Sequence, residues 1–153
     1  MTLARRRFLG NTAAWVTALV AAGWLSPRQA RAAEWNKAAF EVTTLEELLS
    51  ALGGGTAIDS DAITIDAPDV AENGAVVQIG VASAEPDTES IALLVEKNPT
   101  LLAATFTIPR DTLPELQTRV KMAETCNVYA LVKAGDRHLI AARKVEVILG
   151  GCG

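Results

Sequence analysis

The 153-residue chain holds one histidine and two cysteines. His138, Cys126 and Cys152 stand far apart, with none of the spacings that assemble a zinc or copper ligand set. His138 also has no Cys, Asp or Ser partner at motif spacing, so it reads as a solvated or packed histidine at the start of a strand. No Gly-x-Ser-x-Gly occurs, and Gly53-Gly54-Gly55 lacks the Lys and Ser/Thr that would complete a phosphate-cradling loop. The carboxylates are scattered through turns and polar strand faces, where solvation accounts for them. Hydrolytic triads, metal sites and bound cofactors are therefore unsupported.

Acid is missing from the first 32 residues, which carry five of the fourteen basic residues. The remainder holds nine Lys or Arg against 18 Asp or Glu, a net charge of −9. A body this acidic repels phosphate backbones and anionic lipid, so neither nucleic acid nor a membrane surface is an expected partner. A long apolar run is also absent. The stretch from about Ala13 to Leu25 is too short to span a bilayer.

What the first 32 residues do contain is an export signal. Arg5-Arg6-Arg7 leads into the apolar stretch, and Ala30-Arg31-Ala32 puts small residues where a signal peptidase reads. The order Arg-Arg-x-Phe-Leu is of the twin-arginine type, with Arg5 and Arg6 as the pair, although Ala4 and Gly10 replace the usual flanking residues. An ordinary secretory signal or an uncleaved anchor are the alternatives. The expected division is a signal peptide over 1–32, a folded domain over 33–149 and a tail over 150–153, with the product in the periplasm.

Helical periodicity is confined to about 34–52. Thr44-x-x-Glu47 has capping-box spacing, and Leu45, Leu48, Leu49 and Leu52 line one face before Gly53-Gly54-Gly55 ends the helix. Beyond Gly55 the period becomes two. Ile63 and Ile65 form one run, Val77, Ile79 and Val81 a second, and Ile91, Leu93 and Val95 a third; Thr105 to Ile108, Val128 to Lys133, His138 to Arg143 and Val145 to Leu149 follow. Turn residues divide them, as in Glu72-Asn73-Gly74, Glu85-Pro86-Asp87 and Ala134-Gly135-Asp136. About seven short strands at roughly ten-residue spacing predict a mainly β protein, an immunoglobulin-like antiparallel sandwich with a short helical N-terminal region.

The chemistry then falls to Gly150-Gly151-Cys152-Gly153, directly after the last strand. Glycines hold a backbone poorly, so this cysteine is presented as a mobile, exposed thiol, unlike a structural one. A disulfide from Cys152 to Cys126 is the alternative, closing a loop of about 25 residues in an oxidising compartment. No Lys or His adjoins Cys152 and no Cys-x-x-Cys is present, so nothing nearby in sequence lowers its pKa, and the Gly153 carboxylate raises it.

Several stretches resemble the SoxY family, the sulfur-carrier subunits of the bacterial thiosulfate-oxidising Sox system. They are Ala67-Pro-Asp-Val-Ala-Glu-Asn-Gly74, Val95-Glu-Lys-Asn-Pro99 with Ala104-Thr-Phe106, Arg119-Val-Lys-Met-Ala123, and Lys144-Val-Glu-Val-Ile-Leu-Gly-Gly-Cys-Gly153. The resemblance implies a carrier with no active site of its own, bearing pathway intermediates covalently on Cys152. It implies a heterodimer with SoxZ and transient work with the haem enzyme SoxAX, the hydrolase SoxB and, where present, a sulfur dehydrogenase. Cys126 stands where that family more often has Ser or Thr, which places it outside the mechanism. A periplasmic interaction domain, or a carrier for another sulfur donor, are the rival readings.

Overall fold

The computed structural model describes residues 36–148. It opens with two short helices, α1 (Lys37–Glu41) and α2 (Leu45–Ala51), where the periodicity predicted one stretch over 34–52. The break lies at Val42-Thr43-Thr44 and has a direct cause. Thr44 is the N-cap of α2, and its hydroxyl accepts from the Glu47 N–H while the Glu47 carboxylate accepts from the Thr44 N–H, both at 3.3 Å. A cap needs extended backbone (Thr44 has φ −119, ψ 152), so the helix must stop before it starts again. Hydrogen bonding to the Thr44 side chain, then to the Thr43 and Thr44 amides, holds the Glu47 carboxyl below its ordinary pKa. Asn36 ties the pair together: its Oδ1 caps α1, and its Nδ2 donates to the Ala51 carbonyl at 2.9 Å.

Nine strands follow: β1 (Ala57–Asp59), β2 (Ile63–Asp66), β3 (Val70–Ala71), β4 (Val77–Ser83), β5 (Thr88–Val95), β6 (Leu102–Thr107), β7 (Glu115–Val120), β8 (Cys126–Ala134) and β9 (Arg137–Val147). They form the two-sheet sandwich that the sequence predicts. The larger sheet runs β1-β9-β8-β5-β6 with β3 also on β9, and the smaller runs β2-β4-β7. The pairings are antiparallel except that β1 and β3 join β9 in parallel.

The core between the sheets is built from alternate residues, among them Ile79, Ile91, Leu93, Val128, Val132 and Val145. The other face of the large sheet is covered by the helices, with Ala39, Leu48 and Leu49 packed on Ala92, Leu94, Leu131 and Ile140. This explains why Ile91–Val95 is apolar at every position: these residues of β5 are buried on both faces of the sheet. His138 and Cys126 both belong to this frame. Cys126 opens β8 as a buried free thiol in the intersheet core, opposite Val145.

Candidate functional site at the end of the last strand

The last eleven-residue strand carries the chain across the whole large sheet and delivers it at one end of the sandwich. That delivery point is unusually well fastened. The Glu146 N–H donates to the Asp69 carbonyl and the Ile148 N–H to the Ala71 carbonyl, both at 2.9 Å, which is the parallel ladder with β3. Between them the Val147 N–H points the other way and donates to Thr125 Oγ1 at 2.9 Å. Three successive amides are thus held alternately from the two flanks. Arg143 adds an ion pair to Asp69 at 2.8 Å.

The flanks are themselves fixed. Asn98 receives the Ala123 N–H on its Oδ1 (3.1 Å) and donates through Nδ2 to the Lys121 carbonyl (2.7 Å), which sets the loop 121–125 that supplies Thr125. The Met122 N–H donates to the Gly74 carbonyl at 2.7 Å. Gly74 has to be glycine for want of space: a Cβ there would collide with the Met122 carbonyl and lie 2.8 Å from Val147 Cγ1. Four of the stretches that resemble SoxY, spread between Ala67 and Lys144 onward, therefore meet around the root of the C-terminal segment. The remaining one, Ala104 to Phe106, lies on β6. Outward from the root, Val70, Glu146 and Ile148 share one exposed face, with Val70 and Ile148 about half exposed.

The residues singled out from sequence fall into two groups. Cys152, with Gly150, Gly151 and Gly153, and the export pair Arg5 and Arg6 lie outside the described residues. Cys126 and His138 lie inside, and neither is placed to react. Cys126 is a free thiol buried between the sheets, and its alternative bridge partner, Cys152, lies outside the described residues. His138 is packed: it is 6% exposed, its Nε2 has no hydrogen-bond partner, and burial followed by the Lys133 charge lowers its pKa. Missed from sequence were Thr125, Asn98 and Gly74. Only the grouping of short polar stretches hinted at them, because a clamp made across 20 to 50 residues of sequence leaves no periodic signal.

At the other end of the sandwich, loops 84–88 and 108–114 enclose an open cleft of about 1040 Å3 lined by Glu85, Asp87, Arg110, Asp111 and Thr107. Asp87 and Asp111 have positive φ, 57 and 69, as short polar side chains at tight loop corners do. Among the described residues no group of three or more His, Cys, Asp or Glu side chains could hold a metal ion. Among them, too, no helix is long and apolar enough to cross a membrane.

The family described as "Sulfur oxidation protein SoxY" matches residues 49–152. The solved sulfur carrier protein SoxY from Chlorobium limicola f thiosulfatophilum is similar at 36% identity and a TM-score of 0.62, over 69% of this chain and 96% of that one. The human F-spondin reeler domain matches at 13% identity and a TM-score of 0.40, over 60% of this chain and 92% of that one. No curated protein sequence matches. With well over half of its length matched by the family, and the clamped root inside the matched region, this chain belongs to the SoxY family.

Proposed function

We propose that this chain is a periplasmic carrier of thiosulfate oxidation that bears pathway intermediates covalently on Cys152 and presents them to enzymes. The observation that carries the reading is the clamp. The fold spends Thr125, Asn98, Gly74 and β3 on holding the chain up to Ile148, four residues short of Cys152. Four residues of extended chain reach at most about 14 Å, enough to enter an enzyme cleft while the sandwich stays outside. A fastened root followed by a glycine-rich tip is a design for delivery, and the family supplies the cargo.

The loading step balances as the Cys152 thiol plus thiosulfate giving the S-thiosulfonate, one proton and two electrons. The new bond is between the Cys152 sulfur and the sulfane sulfur. The electrons pass to the haem of the conjugating enzyme SoxAX, because the carrier has no acceptor for them. Water then cleaves the terminal sulfur–sulfonate bond under SoxB, releasing sulfate and a proton and leaving a persulfide on Cys152. A sulfur dehydrogenase, where present, oxidises that persulfide. The carrier supplies no catalytic group to these steps. Export through the twin-arginine route, signalled by Arg5-Arg6 within residues 1–32, delivers the folded 33–149 domain and its 150–153 tail to the compartment where these enzymes act. SoxZ, a second small sandwich, covers part of the exposed edges as a heterodimer partner.

Cys152→Ser tests the function against a plain interaction domain. The variant should retain SoxZ binding in size-exclusion chromatography and lose thiosulfate-dependent electron transfer to SoxAX completely. Turnover that persists in the variant contradicts the carrier reading.

A further inference from the structure

His138 is a buried titratable side chain for which the carrier reading has no task. It lies on the helix-covered face of the large sheet, two positions before Ile140 on β9, between Ala57 of β1 and Lys133 of β8. The segment that leaves α2 covers it. The turn Gly53-Gly54-Gly55 comes so close that a Cβ on Gly55 would sit 3.3 Å from His138 Nδ1. On the other side a hollow of about 50 Å3 is lined by Leu52, Ser90, Ala92, Thr105, Leu131 and Lys133 together with the histidine. Nε2 is buried without a hydrogen-bond partner.

A protonated ring here has two N–H donors and a charge to satisfy. The hollow has room for about one or two waters, too few to hydrate it. Nor do the surrounding groups supply an acceptor. On β8, Lys133 is itself a cation, bonded to Glu89 of β5 at 2.7 Å, and on β9 Arg137 is paired with Glu85. Asp136 lies in the exposed β8–β9 turn, and Asp59 of β1 is paired beside Ile140, further along the sheet. The carboxylates of α2, Glu46 and Glu47, are in its first turn, away from the Leu52 end. The last-turn carbonyls of α2 are taken too: Leu48 and Leu49 by the Leu52 N–H, Ser50 by Gly53, and Ala51 by Asn36 Nδ2. Among the described residues His138 forms no ion pair.

We propose that the segment 52–60 is an acid-released flap latched by the neutral ring of His138: when the ring takes a proton, the turn and β1 lift from β9 while the two-sheet body stays folded. The inference stands apart from the carrier reading. The flap is lightly held. β1 is three residues long and pairs with β9 alone, and Leu52 is only partly buried. Gly53, Gly54 and Gly55 all have positive φ (112, 84 and 108), so the hinge is built from residues that change conformation at little cost. Burial, followed by the Lys133 charge, lowers the His138 pKa, which is the direction a latch of this kind requires. The closed form binds the proton less readily than the open one. The latch is therefore fully set above the ordinary value of about 6.5 and weakens as the pH falls below it.

Hydrogen exchange of the mature full-length protein, read by NMR, tests it. The reporting amides are Gly54, bonded to the Leu49 carbonyl at 2.7 Å, and Ser60, bonded to the Ile140 carbonyl at 3.0 Å. Val132, in the intersheet core, measures global unfolding. Protection factors at Gly54 and Ser60 should lie below that at Val132. They should also fall by up to about tenfold between about pH 7.5 and pH 5.5, the limit set by an opened ring of ordinary pKa. In His138→Phe they should stay level across that range. The ring titration of the wild type gives a second reading that does not need the variant to fold: His138 should be half-protonated below about pH 6.5. Level protection in the wild type, protection at Gly54 and Ser60 equal to that at Val132, a fall that survives in His138→Phe, or half-protonation at or above about pH 6.5 overturns the proposal.

Discussion

The two ends of the sandwich solve opposite problems, and β9 joins them across about 33 Å. At the root end, the chain emerges through a clamp in which every backbone amide from Glu146 to Ile148 is bonded and a glycine is demanded by crowding. At the loop end there is a wide cleft, two aspartates at positive φ, and charged pairs such as Lys133 with Glu89 (2.7 Å) and Arg137 with Glu85. Cavity size alone would favour the loop end as the working site. The contrast teaches that this carrier's distinctive feature is how firmly the chain is held up to Ile148, and the loop-end hollow is beside the point.

Glycine substitutions break the comparison most sharply. Gly74→Ala at the root has no room, and the atoms in its way include backbone, so the structure must shift; a loss of about 2–3 kcal/mol in denaturant unfolding is expected. Gly135→Ala at the β8–β9 turn meets open space, and only its φ of +58 opposes it, for a loss of roughly 1 kcal/mol. Equal losses at the two sites would mean that the root is no more tightly built than an ordinary hairpin. Thr125→Val sharpens the point at smaller cost. It removes the acceptor of the part-buried Val147 N–H and should cost about 1–2 kcal/mol, with faster hydrogen exchange at Val147 and unchanged exchange at Ala92.

The smallest effect concerns pH. Burial, then Lys133, lowers the His138 pKa, so the folded chain binds its proton less readily than the unfolded chain does. The resulting stability is fully present above the unfolded value of about 6.5 and is lost as pH falls through the lower folded value. Thermal stability of the wild type should therefore fall more steeply than that of His138→Phe as the pH drops below about 6.5. Parallel profiles would show that His138 takes its proton as easily in the fold as out of it.

Much of the frame was legible because burial imposes a period. Runs such as Val77-Gln78-Ile79-Gly80-Val81 alternate because one side faces the core, and they were read correctly. The expected runs at 138–143 and 145–149 join into one strand that ends at Val147, because Lys144 simply points outward within an unbroken ladder with β8. β1 and β3 were not foreseen, since two or three residues are too few to show a period, and parallel pairing to β9 is what holds them. β7 was overlooked because its outward residues Glu115, Gln117 and Arg119 dominate, although Leu116 and Val120 turn inward. At the site, the glycines around Cys152 single it out in the sequence, and it lies outside the described residues. The clamp that holds Glu146 to Ile148 was not evident, because it arises from contacts between distant stretches.

The central claim is that Cys152 is the acceptor and the buried Cys126 is not. Loading the mature protein with thiosulfate and SoxAX, followed by trypsin, separates the two cysteines cleanly. Cleavage after Lys144 releases the peptide that begins at Val145 and contains Cys152, while cleavage after Lys121 and Lys133 releases the one that contains Cys126. The account predicts all the added mass on the first peptide, retained in Cys126→Ser and absent in Cys152→Ser. Added mass on the peptide from Met122 to Lys133, or loading that survives Cys152→Ser, would contradict it.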